Sequence, residues 1–319
     1  MNTNNKDASL VIINYDALAN KDVEEIQKLV QACESVGMFY LDLGNSRMKD
    51  VYKGIPSLLR AGNAFFDLPA DCEEKNQSLR EGMERGYHAA KTFEYYEIAR
   101  DEYRQGRWTL PASLKPHEEC ITSTLHTLDR AIRTVLAELC NAVQVELPEL
   151  SDNPTAASDT ALKLVHKPPV QEPGAVVQPW HTDFGLMTMM WYEEVTAQIA
   201  VYDSKGNRTE DWQAVPVVDG ALLVNIADEL EAKSRGRLRS TVHRAVTPPG
   251  PRKTVYSLKT TSMHRRRRVV AEYLMHQPWA KVLPKCGWAT IPALAGNVFL
   301  GIFLPSYHLA DIVQPEEAL

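Results

Sequence analysis

Residues 181–192 read His181-Thr-Asp-Phe-Gly-Leu-Met-Thr-Met-Met-Trp-Tyr192, and this stretch decides how the second half of the chain is interpreted. Its apolar part, from Gly185 onward, is a short run of the kind that forms a buried strand. Its first part carries His181 and Asp183 two positions apart. Side chains at i and i+2 of an extended segment lie on the same face, so this imidazole and carboxylate can ligate one ion together. The stretch therefore predicts a metal site on a β scaffold.

Short extended runs continue on both sides of this stretch. From residue 161 onward they are separated by proline and glycine, which is the pattern of a β-sandwich or barrel. The predicted strands are 162–165, 185–192, 198–202, 221–226, 241–246 and 254–259. We therefore expect residues 151–319 to form a β core.

The first half of the chain predicts helices instead. Apolar residues recur at intervals of three and four within 23–33, 52–66 and 117–141, and two short β runs lie at 10–14 and 38–41. Asp22 and Glu25 form a candidate capping box, and Gly37 is placed to end that helix. Residues 81–116 are rich in aromatic and charged residues and show no regular pattern. The sequence leaves two interpretations of them, a substrate-facing loop and ordinary surface packing. Residues 1–150 are expected to be mainly helical and to form one structural unit with the β core.

The overall composition limits the classes of partner. A net charge of −6 argues against general binding to nucleic acid or to anionic membranes. The five cysteines lack the C-x-x-C spacing, so a reducing compartment is expected. The first ten residues do not resemble a signal peptide, and no apolar stretch has the length of a membrane span. We expect a cytoplasmic protein with a small-molecule substrate and no nucleic-acid or membrane partner. The run Arg265–Arg268 is interpreted as a solvated turn rather than as an anion-binding patch.

His243 is the candidate for a third metal ligand. Two imidazoles and one carboxylate on one triangular face form the facial triad of non-haem Fe(II) oxygenases, which leaves the opposite positions of the ion open. The seven other histidines are interpreted as structural: His88, His117, His126, His166, His264, His276 and His308. A buried Asp183 without a cation is energetically expensive, which favours a bound ion. Such a ligand set accepts several divalent metals, so these residues alone do not single out iron.

Further motifs occur in a fixed order along the chain. Residues 219–228 read DGALLVNIAD, residues 236–244 read GRLRSTVHR and residues 252–254 read RKT. Together with the H-T-D segment they resemble the isopenicillin N synthase-like branch of the Fe(II)/2-oxoglutarate-dependent dioxygenases, which carries P-G-A-L-V-V-N-I-G-D, G-R-L-K-S-T-x-H-R and R-x-S. The segments 36–41, 65–69 and 85–87 are similar to this family's G-F-F-Y-L, F-F-x-L-P and R-G-Y.

The resemblance implies an α+β fold with a double-stranded β-helix (jelly-roll) core and N-terminal helices packed on the major sheet. It also implies Fe(II) and O2 as cofactors, 2-oxoglutarate as co-substrate, and His181, Asp183 and His243 as catalytic metal ligands. Arg252 and Thr254 correspond to the family's pair that holds the distal carboxylate of 2-oxoglutarate; the threonine replaces the usual serine. Lys167 stands where the family often has a tyrosine. Its side chain either gives the same carboxylate a second cation or points to solvent, and the sequence leaves both alternatives open.

The function expected from the resemblance is 2-oxoglutarate-coupled oxidation of a small organic molecule by hydroxylation, desaturation or ring rearrangement, in natural-product biosynthesis. Continuing period two from Arg252 and Thr254 places Tyr256 and Leu258 on the inward face as substrate-binding candidates. The alternatives are a 2-oxoglutarate-independent oxidase, in which Arg252 and Thr254 anchor the substrate's carboxylate, and a non-catalytic binding subunit. The substrate, the oxidative outcome and the oligomeric state are not fixed by the sequence.

Overall fold

The structure is a computed structural model, and it describes residues 7–77, 85–89, 93–100, 102, 105–106, 110–147, 160–167, 172–248 and 255–262. For residues 255–262 it describes the backbone alone. The predicted domain boundary near residue 150, the pair Arg252 and Thr254, and the run Arg265–Arg268 lie outside these residues.

The helices lie mainly in the first half of the chain, as the sequence predicts. They are α1 (Tyr15–Ala19), α2 (Val23–Ser35), α3 (Lys49–Phe66), α4 (Glu73–Gln77), α5 (Glu118–Val143) and the later α6 (Asp228–Lys233), with a short 3-10 turn at Lys115–His117. None of the described helices is long and apolar enough to cross a membrane.

Helix α2 begins and ends where its sequence signals predict. Asp22 Oδ1 accepts a hydrogen bond from the Glu25 backbone N–H at 3.0 Å, which is one half of the capping box. The Glu25 carboxylate accepts instead from the Asn14 N–H at 2.6 Å. At the other end Gly37 has a φ of +78°, and its N–H donates to the Ala32 carbonyl at 2.8 Å. This glycine conformation ends the helix and turns the chain directly into a strand.

The strands form two sheets. They are β1 (Ile12–Asn14), β2 (Met38–Asp42), β3 (Gly86–Ala89), β4 (Glu94–Ala99), β5 (Ala161–Lys167), β6 (Val176–His181), β7 (Met187–Tyr192), β8 (Ala197–Tyr202), β9 (Arg208–Ala214), β10 (Ala221–Ile226), β11 (His243–Val246) and β12 (Val255–Ser262). The major sheet has the order β1-β2-β10-β7-β12-β5-β4-β3, and the minor sheet has the order β6-β11-β8-β9. Apart from the parallel pair β1–β2, neighbouring strands are antiparallel. The expected α+β fold with a jelly-roll core is confirmed.

Two hydrophobic clusters flank the major sheet. One lies between the helices and the sheet, and it takes in the apolar stripe of α5: Ile121, Leu125, Leu128, Ile132, Val135 and Leu139, all fully buried. Leu222 and Leu164 of the major sheet belong to the same cluster. The second cluster lies between the two sheets and includes Leu223 of β10 and Ile199 of β8. Alternate residues of a major-sheet strand therefore face either the helices or the jelly-roll interior.

Strands β3, β4, β6 and β9 are absent from the strands predicted from the sequence. β3 and β4 lie within 81–116, where the sequence predicts irregular structure. In β4 the charged residues Glu94 and Glu97 obscure the alternation of apolar and polar residues that marks a strand. The structure accommodates them because Glu94 pairs with Lys75 and Glu97 pairs with Lys163. β9 is an edge strand whose residues are mostly polar, a composition that carries little strand signal.

Candidate metal centre

The structure brings His181, Asp183 and His243 together. His181 is the last residue of β6, and His243 is the first residue of β11, directly opposite it in the antiparallel pair. Asp183 follows two residues after the end of β6, so it lies in the connection after the strand rather than on it. The Nε2 atoms of His181 and His243 each lie 3.9 Å from Asp183 Oδ1. Among the described residues, this is the group of histidine, cysteine and acidic side chains whose ligand atoms could hold a metal ion, all within 4.8 Å of one another.

Backbone carbonyls orient both imidazoles. His181 Nδ1 lies 2.8 Å from the Pro179 carbonyl oxygen, and His243 Nδ1 lies 2.9 Å from the Thr241 carbonyl oxygen. A carbonyl only accepts hydrogen bonds, so each Nδ1 carries a proton, and the neutral form of each ring presents the lone pair of Nε2. The tautomer that ligates a metal through Nε2 is therefore fixed at both positions.

The carboxylate of Asp183 is buried and is held from one side. Its Oδ2 accepts a hydrogen bond from Asn225 Nδ2 at 3.1 Å, and its backbone carbonyl accepts from the Asp228 N–H at 2.9 Å. The residue is 5% exposed. Its Oδ1 faces both Nε2 atoms, and when the rings are neutral this places lone pairs opposite a buried carboxylate, which is unfavourable unless a cation lies between them.

The three donor atoms fit a divalent ion. Two cis ligands of one ion, each about 2.1 Å from it, lie about 3.0 Å apart, so the separations of 3.9 Å have to close by about 0.9 Å when the three atoms bind a metal. Two imidazoles and a carboxylate are the donors of a facial triad, which suits Fe(II). The side-chain Nε2 of Gln178 lies 3.2 Å from His181 Nε2 and has to turn aside when that nitrogen ligates a metal.

Asp228 connects the two segments that carry the ligands. Its Oδ2 accepts a hydrogen bond from Thr182 Oγ1 at 3.0 Å, and its Oδ1 accepts from Ser240 Oγ at 2.7 Å. Burial raises the pKa of Asp228 to about 7, and the two hydroxyl donors partly oppose that rise. These contacts hold the two segments next to each other. Asn225, from the same sequence motif as Asp228, contacts the carboxylate of Asp183 directly.

The register of β12 gives the backbone positions of Tyr256 and Leu258. Tyr256 pairs with His166, and Leu258 pairs with Leu164 and Trp191. Leu164 belongs to the cluster under the helices, and His166 stacks on Phe66 of α3. Positions 256 and 258 are therefore in register with residues of the helix-facing side, and substrate binding by their side chains stays a prediction.

The register positions on the interior side are Val255, Ser257 and Lys259, which pair with Lys167, Val165 and Lys163 of β5. The prediction took the phase of this strand from Arg252 and Thr254, which lie outside the described residues, whereas pairing with β5 and β7 sets the backbone register of the described part. Lys167, the last residue of β5, lies on the side of the sheet opposite to Leu164 and His166 and so belongs to the interior face.

Comparisons with known proteins agree with this site. The model of the 2OG-Fe(II) oxygenase superfamily matches residues 158–264, which include all three predicted ligands. The chain is similar to a 2-oxoglutarate-dependent dioxygenase of Gibberella zeae, with 26% identity over 254 residues that cover 75% of this chain and 74% of the relative. It is also similar to kihadalactone A synthase of Citrus sinensis, with 26% identity over a match that covers 72% of this chain and 75% of the relative.

Among solved structures, a full-length Neurospora crassa protein in complex with alpha-KG and 5-formyluracil has a TM-score of 0.67 at 20% identity. The match covers 84% of this chain and 87% of the Neurospora chain, which shows a shared fold.

Proposed function

Because the chain belongs to the superfamily of 2-oxoglutarate- and Fe(II)-dependent oxygenases, we propose that His181, Asp183 and His243 hold its iron and that it oxidises a small molecule of specialised metabolism. The protein is an oxidoreductase, a non-haem iron dioxygenase that uses Fe(II), 2-oxoglutarate and O2. The observation that carries the metal assignment is the convergence of two Nε2 atoms, each 3.9 Å from one buried carboxylate oxygen, with both tautomers set for ligation.

The co-substrate is assigned to the interior face of the major sheet. Lys167 lies on that face, which favours the first of its two alternatives, an ionic contact with the distal carboxylate of 2-oxoglutarate. Arg252 and Thr254 are proposed as further partners of that carboxylate, from the resemblance of the R-x-T segment to R-x-S. Iron with bound 2-oxoglutarate supplies the activation of O2, and succinate and CO2 are the co-products. The protein's own side chains orient the two molecules and exclude water around them.

Oxidation of a natural-product intermediate is proposed as the biological role. A relative named kihadalactone A synthase supports it. The dependence on 2-oxoglutarate in the relatives' names favours this reading over the co-substrate-independent oxidase. The converging triad also counts against a non-catalytic subunit, since a scaffold has no need for three metal ligands on one site.

Metal and co-substrate binding test the proposal without knowledge of the substrate. The purified protein is expected to bind one equivalent of Fe(II) anaerobically and then to bind 2-oxoglutarate, as measured by calorimetry. His181→Ala and Asp183→Ala are expected to lose metal binding, whereas His126→Ala, on the exposed surface of α5, keeps it. Arg252→Ala is expected to bind Fe(II) normally and 2-oxoglutarate at least about tenfold more weakly.

The same variants are then compared for succinate formation in air. Wild-type and His126→Ala proteins are expected to form succinate in an Fe(II)-dependent way, and the two ligand variants are expected to lose this activity. A folded wild-type protein that binds Fe(II) but not 2-oxoglutarate contradicts the proposal and favours the oxidase.

A further inference from the structure

The two halves of the jelly-roll interior differ in polarity. On the side of β2, β10 and β7 the space between the sheets is filled by the second hydrophobic cluster, with Tyr40, Leu223 and Tyr192 opposite Ile199. On the side of β5, β4 and β3 the interior face carries charged and aromatic residues instead. A substrate that reaches the metal from inside the jelly roll therefore meets this polar half.

A buried carboxylate organises the polar half. Glu97 of β4 is the cross-strand partner of Lys163 on β5, and its side chain is 2% exposed. Its Oε2 lies 2.9 Å from Lys163 Nζ, and its Oε1 accepts a hydrogen bond from Arg85 Nη1. Lys163 and Arg85 keep side-chain exposures of 19% and 13%, so the carboxylate is covered while its two cations remain accessible.

Aromatic rings lie beside the ammonium group of Lys163. Its Nζ is 4.2 Å from the ring centroid of Tyr95. His88 stacks on Tyr95 with ring centroids 4.9 Å apart and an interplanar angle of 20°. Phe93 also stacks on Tyr95, with ring centroids 6.2 Å apart and an interplanar angle of 21°. These nearly parallel rings present flat surfaces next to a cation, and the partly exposed ones are His88 and Phe93.

Stability alone does not explain this arrangement. A buried ion pair stabilises a fold no better than well-packed apolar side chains of similar volume, because both ions lose their hydration. Glu97 and Lys163 also lie on the face opposite to Leu164, away from the main core beneath the helices. Ions retained on the interior face of the sheet that also carries Asn225 are better explained by ligand recognition.

The register relates Lys163 to the metal centre. Lys163 pairs with Lys259, Lys259 with Met190, and Met190 with Leu223, two residues from Asn225 on β10. Three strand spacings separate Lys163 from Leu223, or about 14 Å along the sheet. Lys167 lies four residues farther along β5, about 13 Å from Lys163, so the two lysines can serve different molecules.

We propose that Lys163, positioned by Glu97, is a specificity-determining residue that binds a carboxylate on a planar, ring-bearing substrate, with His88 and Phe93 as the wall for its rings. The inference rests on the proposed function, since it takes the metal centre as the reacting end of the same chamber. An ammonium group carries three donors, so Glu97 can orient it while a substrate oxygen accepts from it.

A matched pair of probes tests the subsite. Naphthalene-2-carboxylate and naphthalene-2-carboxamide have the same rings and differ in charge. Each is titrated by calorimetry into the anaerobic Fe(II) protein saturated with 2-oxoglutarate, which blocks the co-substrate's own cations. Wild-type protein is expected to bind the acid about 10- to 100-fold more tightly than the amide, the range of a hydrogen bond to a charged group.

The variants separate recognition from folding. Lys163→Met is expected to abolish the preference for the acid, and Lys163→Arg to retain most of it. Lys205→Met makes the same chemical change on the exposed β8–β9 turn and is expected to bind as wild type does. An unchanged preference in Lys163→Met overturns the proposal, as does failure of wild-type protein to bind naphthalene-, anthracene- and biphenyl-carboxylates. Either result in a protein that binds 2-oxoglutarate leaves the proposed function intact, whereas failure to bind 2-oxoglutarate counts against that function itself.

Discussion

Asn225 contacts Asp183, a proposed metal ligand, and the motif that contains Asn225 did not reveal this contact. Its Nδ2 donates to Asp183 Oδ2, the carboxylate oxygen that faces away from the two imidazoles. This contact leaves Asp183 Oδ1 directed at His181 and His243. The side-chain Oδ1 of Asn225 is buried and has no hydrogen-bond partner within the described part of the chain. The residue therefore serves the orientation of the ligand more than the stability of the fold.

Replacing Asn225 with alanine is expected to weaken Fe(II) binding by about 10- to 100-fold, the usual effect of losing a partner of a metal ligand. The melting temperature of the metal-free protein is expected to change little, because the variant also removes a buried acceptor without a partner. Competition with a chelator gives the affinity. Asn207→Ala is the control, since that side chain bonds Asp203 within the β8–β9 turn. Equal affinities in the two variants contradict the assignment.

The convergence of His181, Asp183 and His243 was predictable because these residues stand in a short motif and a matching order of segments. The Lys163–Glu97–Arg85 cluster was not, because its members come from β5, β4 and the residue before β3, and no spacing joins them. Lys163 on its own is an ordinary polar position of a strand. Its significance depends on the register that places Glu97 beside it, and register is set by pairing over the whole sheet.

The turn from α2 to β2 contains a glycine whose position the structure explains. Gly37 has a φ of +78°, and a Cβ added there would lie 1.9 Å from the Arg239 carbonyl oxygen. The Gly37 carbonyl also accepts a hydrogen bond from the Ile226 N–H at the end of β10. The glycine thus ends a helix and permits close approach of the segment before β11.

Gly37→Ala is expected to lower the free energy of unfolding by at least about 2 kcal/mol, because it adds both a positive-φ penalty and a steric overlap with backbone. Gly54→Ala is the matched control. Gly54 lies inside α3, and a Cβ added there would have no neighbouring atom within 4 Å, so alanine is expected to stabilise the helix by about 0.5–1 kcal/mol. Urea unfolding measures both values. A neutral Gly37→Ala variant is inconsistent with the turn described.

Strand β12 shows what can and what cannot be predicted about an element. Its existence was predicted from a β-rich run, and its bounds extend three residues beyond the predicted end at 259. Its register could not be derived from the strand itself, because pairing with neighbouring strands sets it. The partners His166 and Leu164 fix the phase, and they come from a segment about ninety residues earlier in the chain.

A buried polar network around Glu94 joins the helices to the major sheet. Lys75 of α4 donates to the Phe66 carbonyl and to Glu94 Oε2, at 2.9 and 3.1 Å. Tyr87 of β3 donates to the same oxygen at 2.6 Å, and His166 Nδ1 lies 2.7 Å from Glu94 Oε1. Burial raises the pKa of Glu94, but the hydrogen bonds from His166, Tyr87 and Lys75 outweigh it and lower the pKa to about 2.

This network predicts how stability depends on pH. The pKa of Glu94 is lower in the folded protein than in the unfolded chain, where it is near 4.5, so its contribution is fully present above that value and is lost as pH falls toward 2. Glu94→Gln is expected to lower the free energy of unfolding by about 2 kcal/mol at pH 6. The difference from wild type is expected to shrink between pH 4.5 and pH 2.5. Urea unfolding across this range measures it, and a difference that does not vary with pH contradicts the low pKa.

The metal centre also connects the two sheets. His181 and His243 belong to the minor sheet, whereas Asp183 is held by Asn225 of the major sheet and by the first residue of α6. An ion bound by all three side chains therefore favours the native packing of the sheets over the unfolded chain. By linkage, a free metal concentration about 100-fold above the dissociation constant stabilises the folded protein by about 2.7 kcal/mol.

Metal is thus expected to raise the melting temperature of the wild-type protein by about 5 °C or more, as measured by anaerobic calorimetry with Fe(II) and with excess chelator. Asp183→Asn keeps the shape of the side chain and removes the charge that faces two lone pairs at 3.9 Å. This variant is expected to melt at or above the temperature of the metal-free wild type and to gain nothing from Fe(II). The order of stability of the two proteins therefore reverses when metal is added. A purely structural carboxylate predicts the opposite, a variant that melts lower with or without metal, and that result would show that Asp183 serves the fold and not the ion.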